Sequence, residues 1–342
     1  MRSTIRRLPY SEWPQQDRHL WESVFENGNI FQDGTAAHLA EASRKSWKSC
    51  YSRFLGFLAA RHPDRLMLPP DQRVAREIVK EYSETLLAHI SQVTVAIMLG
   101  RLGYVLKAIH GEYDWSWLQQ ITARIRRGAK PSRKPYITAD RLFALGMRLM
   151  DRALAEANAD GLVTEQGAII YRDGLMIALV ASAPIRRRAL LKMEIGRQLV
   201  RTGSGWTLDI PEEDTKTGQP QEYPLAPRLS GYVDEYLARF RSAIPGAGCH
   251  DSLWPSSEGK PMAANTCLQR FTVRTRAEFG FAVGPHRFRH AAATLWSERD
   301  PKNVRGAKDL LGHTTFAMTE KHYIVAQSRT AGQKLAQAFA NA

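Results

Sequence analysis

In the stretch Gly284-Pro285-His286-Arg287-Phe288-Arg289-His290, His286 and Arg289 stand three positions apart and so share one face of a helix. Phe288 and the run Ala291-Ala292-Ala293 mark that helix as one packed closely against a core. A histidine beside an arginine at this spacing offers a proton-transfer group next to a permanently charged, bidentate phosphate clamp.

Working outward from this stretch, four further features fall in order. Downstream, Val304, Ala307, Leu310 and Leu311 form a helical stripe, and Gly312 fits the stop that would present His313 just past a helix end. Tyr323 follows in Thr319-Glu320-Lys321-His322-Tyr323-Ile324, and no other tyrosine occurs after Tyr236. Upstream lies Ala183-Pro184-Ile185-Arg186-Arg187-Arg188-Ala189-Leu190-Leu191, in which Pro184 suits the first position of a helix. Arginines in a first turn repel the positive end of the helix dipole unless an anion sits there. Between these, Trp206 to Ile210 and Glu222 to Leu225 read as two short strands, with Lys216-Thr217-Gly218-Gln219 at the tip of their hairpin.

Each feature alone has an ordinary reading: a solvated tip lysine, a core tyrosine, a basic surface turn. Together they supply what cleavage of a phosphodiester without metal requires. That is a nucleophile in Tyr323, cations for the transition state in Arg186 and Arg289, an acid for the leaving oxygen in Lys216, and proton carriers or phosphate donors in His286 and His313. The carboxylate clusters used by two-metal nucleases do not occur, and the sequence implies neither metal nor cofactor.

The rest of the chain of 342 residues reads as helical around a basic boundary. Trp47, Tyr51, Phe54 and Leu58 line one face of a helix, with Arg44, Lys45, Lys48 and Arg53 mostly off it. Pro69-Pro70 open a second helix with Val74, Ile78, Tyr82 and Leu86 on its buried side. Further helices are expected over about 92–109, 115–127, 138–158 and 164–182, with Thr138 and Thr164 as N-caps. Arg124, Arg126, Arg127, Lys130, Arg133 and Lys134 crowd a stretch containing Gly128 and Pro131, which reads as a linker along a phosphate backbone. The formal charge of +14 favours a polyanionic partner, usually nucleic acid. No signal-peptide pattern opens the sequence, and the apolar segment from Val93 to Leu106 is interrupted by Arg101 and glycines. Cys50, Cys249 and Cys267 have neither CxxC nor zinc spacing. A cytoplasmic protein without structural disulfides or zinc is the expectation.

The order Arg186, Lys216, His286-x-x-Arg289, Leu-Gly-His313, Tyr323 resembles the tyrosine recombinase, or phage integrase, family. Tyr223-Pro224-Leu225 after Lys216-Thr217-Gly218 is a secondary match. The resemblance implies a mainly α fold with a small antiparallel sheet, a helical SAM-like core-binding domain and an integrase-type catalytic domain. The implied layout is a basic segment at 1–30, a core-binding domain at 31–123, a linker at 124–137, a catalytic domain at 138–323 and a tail at 324–342 that packs on a neighbouring protomer. It further implies that Arg186, Lys216, His286, Arg289 and His313 surround a scissile phosphate while Tyr323 forms a 3′-phosphotyrosyl bond. Arg44, Lys45, Lys48, Arg126, Arg127, Lys130, Arg133, Lys134 and Arg287 are the candidate DNA-binding cations.

The expected partner is double-stranded DNA with an inverted-repeat core site, bound by a homo-tetramer on two sites, with a monomer off DNA and accessory proteins as further expectations. The role would be integration, excision or resolution of a mobile element. A catalytically impaired DNA-binding relative and a type IB topoisomerase are the alternatives. Two departures stand out. Pro184-Ile185 replaces the family's Gly-Leu and Ala189 its Glu, so that Leu190 and Leu191 select Arg186 while Arg187 and Arg188 stay open as alternatives. Tyr323 lies ten residues past His313, where nine is commoner.

Overall fold

The computed structural model describes residues 5–28, 33–129, 135–203, 205–215, 217–300 and 303–311. The chain divides into two compact units, Met1–Arg133 and Lys134–Ala342, each built on its own apolar core.

The first unit holds α1 (Gln15–Ser23), α2 (Glu41–Arg61), α3 (Pro70–Arg73), α4 (Arg76–Leu87), α5 (Gln92–Ile109) and α6 (Ser116–Gly128). The expected stripe of α2 faces inward: Tyr51, Phe54 and Leu58 are fully buried. Val74, Ile78, Tyr82 and Leu86 are buried too, but the single helix expected there is broken. Val74 leaves helical geometry at φ −102°, ψ 40°, and α4 starts afresh at Arg76. Among the described helices, α5 has the length and composition to cross a bilayer. Its Val95, Leu99, Leu102, Val105 and Leu106 instead fill this unit's core.

Within the stretch expected as a basic N-terminal segment, Trp13 and Trp21 pack into the first core and Asp17 of α1 is buried. Asp17 accepts hydrogen bonds from Arg73 Nη2 (2.8 Å) and the Tyr51 hydroxyl (3.0 Å), which tie α1 to α2 and α3. The first residues of the expected linker are helical. Arg124, Arg126 and Arg127 are helical because α6 runs on to Gly128, and Arg126 and Arg127 in its last turn suit the negative end of the helix dipole.

The second unit is centred on α7 (Ala139–Asp160) and α8 (Glu165–Ser182), the latter buried from Gly167 to Ala181. They cross at glycine: a Cβ on Gly146 would meet the Gly174 carbonyl oxygen at 2.6 Å, and one on Gly174 the Gly146 oxygen at 2.7 Å. Thr164 caps α8 by accepting the Gly167 N–H at 3.0 Å, whereas Thr138 stands at the start of α7 without a side-chain cap. After α9 (Arg187–Lys192) comes an antiparallel sheet in the order β1 (Leu199–Thr202), β2 (Gly205–Ile210), β3 (Gln221–Pro224). Leu208 of β2 pairs with Leu199 on one side and Tyr223 on the other. The expected hairpin is β2–β3, and β1 is an addition to it. Next come α10 (Pro227–Glu235), α11 (Ala264–Phe279), α12 (Pro285–Arg299) and α13 (Val304–Leu311). The fold is mainly helical with one small sheet, as the sequence implied.

Candidate active site

Helix α12 starts at Pro285 and turns Phe288, Arg289 and Ala291 to Ala293 inward. Phe288 meets Phe271 of α11 edge-on, with ring centroids 5.1 Å apart. Beside it the Arg289 side chain is 6% exposed. Its guanidinium donates through Nη1 to the Pro184 carbonyl and through Nη2 to the Leu311 carbonyl. One buried arginine thus joins the segment entering α9 to the end of α13.

Pro184 does not open α9. Ile185 turns inward and is buried, its N–H bonded to the Ala183 oxygen at 2.7 Å, so the helix begins only at Arg187 with Arg186 at its N-cap position. This register distinguishes the three arginines. Arg187 and Arg188 are exposed, while Arg186 is half-buried and its Nη1 is buried without a hydrogen-bond partner among the described residues. Burial, and next the repulsion of Arg186, hold the Arg289 guanidinium down at about 10. Two neighbouring cations, one with an unsatisfied N–H, form an arrangement that an anion relieves.

Tyr223 of β3 lies against the same pair. Its hydroxyl donates to the Leu310 carbonyl at 2.8 Å. Burial raises its pKa against the pull of Arg289 and Arg186, which keeps it a neutral donor. The sequence offered Tyr223 only as part of a secondary motif.

His286 stands exposed in the first turn of α12, with Nε2 3.0 Å from Nε2 of His290 and the rings edge-on at 82°. One of the two nitrogens must carry the shared proton. No role had been assigned to His290, although the four-residue spacing from His286 was the available signal. Lys216, His313 and Tyr323 lie outside the described residues.

The candidate DNA-binding cations have varied surroundings. Arg44 donates to the carbonyls of Leu39 (2.8 Å) and Ala37 (2.6 Å) and lies over the Phe25 ring, holding the entry to α2. Lys45 pairs with Glu41 one turn away, and Lys48 sits 3.8 Å from the centre of the Tyr10 ring. Arg287 donates to the Pro135 carbonyl and covers Phe281. Arg126 and Arg127 are exposed, and Lys130, Arg133 and Lys134 lie outside the described residues.

The second unit is thus a mainly helical domain that crowds two arginines into a place suited to an anion, beside a histidine-bearing helix start. Comparison with known proteins identifies the family. Residues 152–329, just over half of the chain, match the phage integrase family. The tyrosine recombinase XerD of Pseudomonas aeruginosa is 24% identical over 184 residues, which cover 53% of this chain and 59% of that relative. The alignment thus spans about three fifths of the relative's length. Two solved structures share the fold. XerH bound to palindromic difH substrate, a post-cleavage complex, has a TM-score of 0.54 at 12% identity, covering 93% of this chain and 95% of that one. The Tn1549 transposon integrase in complex with transposon right end DNA has a TM-score of 0.54 at 16% identity, covering 93% and 98%. The chain belongs to the phage integrase family, the tyrosine recombinases that carry out site-specific DNA recombination.

Proposed function

We propose that this chain cleaves and rejoins DNA at a specific site through a 3′-phosphotyrosyl intermediate, with Tyr323 as nucleophile. The observation that carries the reading is the Arg186–Arg289 pair, whose repulsion, with the Arg186 Nη1 unpartnered among the described residues, calls for an anion beside them. A scissile phosphate answers that demand, and its charge grows in the transition state, where fixed cations are most effective. Lys216 protonates the departing 5′-oxygen, and His286 and His313 carry protons or donate to the phosphate. The broken bond's energy is kept in the phosphotyrosine, so rejoining needs no nucleotide, and the arginines and lysine take the part that metal ions play elsewhere. By analogy with the relatives that were solved on DNA, the substrate is a duplex with an inverted-repeat core, and assembly as a tetramer on two such sites is part of the proposal. The element served is one that integrates, excises or resolves.

The test uses a nicked suicide duplex carrying the site found by searching the DNA that flanks the gene for inverted repeats. Wild-type protein is expected to form a covalent adduct on a denaturing gel, and Tyr323→Phe none. Binding without an adduct on a genuine site would support the impaired-relative alternative. Relaxation of an arbitrary plasmid by the monomer would support the topoisomerase one.

A further inference from the structure

The connection from β2 to β3 spans residues 211–220 and carries Lys216, yet its first half is not a free loop. Glu212–Asp214 form a 3-10 turn, closed by the Asp214 N–H on the Pro211 carbonyl at 3.0 Å. Asp214 itself is 3% exposed. Its Oδ1 accepts from Lys192 Nζ at 2.5 Å and its Oδ2 from Gln198 Nε2 at 2.8 Å. Lys192 is the last residue of α9, the short helix whose N-cap is Arg186. Gln198 is anchored in turn: its Oε1 accepts the Glu194 N–H at 2.9 Å and its backbone oxygen the Asp209 N–H at 2.9 Å. Beyond Asp214, the Thr215 hydroxyl donates to the Glu212 carbonyl (3.0 Å) and accepts the Gln219 N–H (3.1 Å), bonding the two sides of Lys216 together.

We propose that Asp214 is a positioning residue: by fixing the hairpin root to the end of α9, it sets where Lys216 can reach relative to Arg186. Stability alone does not explain a carboxylate here, because an apolar residue of similar size often serves a buried position as well or better. What the carboxylate adds is direction. Each oxygen names one partner: Lys192 ends the helix that Arg186 caps, and Gln198 is bonded to β2, the strand that leads into the hairpin. The inference rests on the reading of Lys216 as the acid for the leaving oxygen, and its test separates the two.

Adduct formation is timed on two suicide duplexes, one with the ordinary scissile phosphate and one whose 5′-bridging oxygen is replaced by sulfur, a leaving group that needs no proton. Lys216→Ala is expected to lose about 10²–10⁴-fold on the oxygen substrate, the range for general acid catalysis, and to recover on sulfur. Asp214→Asn is expected to follow the same pattern at about tenfold or more, with sulfur restoring most of the rate. Lys192→Met, which removes the partner and spares the buried acid, serves where Asp214→Asn does not fold. Equal slowing on both substrates, or no slowing on oxygen, overturns the positioning role. Failure of sulfur to rescue Lys216→Ala overturns the reading of Lys216 and the positioning role with it.

Discussion

Arg289 holds two carbonyls and faces another arginine, so its charge and its shape are separable in principle. Lysine keeps the charge but lacks the planar fork. Arg289→Lys is expected to slow adduct formation by about 10²-fold or more, the scale for losing a donor to a developing oxyanion. A rate within threefold of wild type on a suicide duplex would remove Arg289 from the chemistry. Tyr223→Phe deletes only the hydroxyl bonded to the Leu310 carbonyl. A loss of about 1 kcal/mol is expected, read as a lower melting temperature of the second unit. At this scale the sequence was informative about residue identity and silent about partners. The order Arg, Lys, His-x-x-Arg pointed to a phosphate site, but only the fold shows Arg186 beside Arg289 with Arg187 and Arg188 turned outward. Arg44 shows the reverse: an arginine off the apolar stripe looks free in sequence, yet it bonds two carbonyls five and seven residues away.

Helix periodicity made most elements legible, because a buried stripe leaves a pattern that needs no knowledge of the partner. The α5 span of Gln92–Ile109 was read directly. Strand β1 was missed: four residues, Leu199-Val200-Arg201-Thr202, are too few for alternation to show. Polar ties between helices were also invisible, since Asp17 and Arg73 lie 56 positions apart. That pair is 1% and 3% exposed at the side chains, and Asp17→Ala would strand a buried guanidinium. The expected cost is about 3–5 kcal/mol, measured by denaturant unfolding.

Acid should find the same tie. Burial alone would raise the Asp17 carboxyl, but the nearby His110 ring, the charge of Arg73 and hydrogen bonds from Arg73 and Tyr51 outweigh it and hold the carboxyl below its ordinary value. A carboxyl depressed in the folded chain binds protons less readily there than in the unfolded one. Its stabilisation is therefore full above about pH 3.9 and is lost as pH falls through the lower folded value. Below about pH 4, wild type should lose stability more steeply than Asp17→Asn, followed by circular dichroism; parallel acid limbs would refute the assignment. At the α7–α8 crossing, Gly146→Val forces backbone apart where 2.6 Å is available, and a loss of at least about 1–3 kcal/mol is expected from overpacking.

Across the whole molecule, two cores with no shared residue make two units that should melt as separable transitions. The composition was enough to expect one large core or two ordinary ones and a polyanionic partner, but not where the first core begins. Trp13 and Trp21 look like isolated aromatics in a polar stretch until Trp13 is seen edge-on to Tyr51 and Trp21 edge-on to Trp13. With +14 of formal charge, DNA affinity should fall steeply with salt, by about 0.9 log units per phosphate contact for each log unit of salt.

The grip of Arg289 on the Leu311 carbonyl has a consequence for everything downstream of it. Whatever route the last thirty-one residues take, on their own unit or across to a neighbour, they set out from a mooring made fast by the same side chain that neighbours Arg186. Under the proposed function, Arg289 and the departure point of the segment that carries Tyr323 cannot drift apart independently, so an exchange of tails between protomers need not disturb the register in which each tail begins.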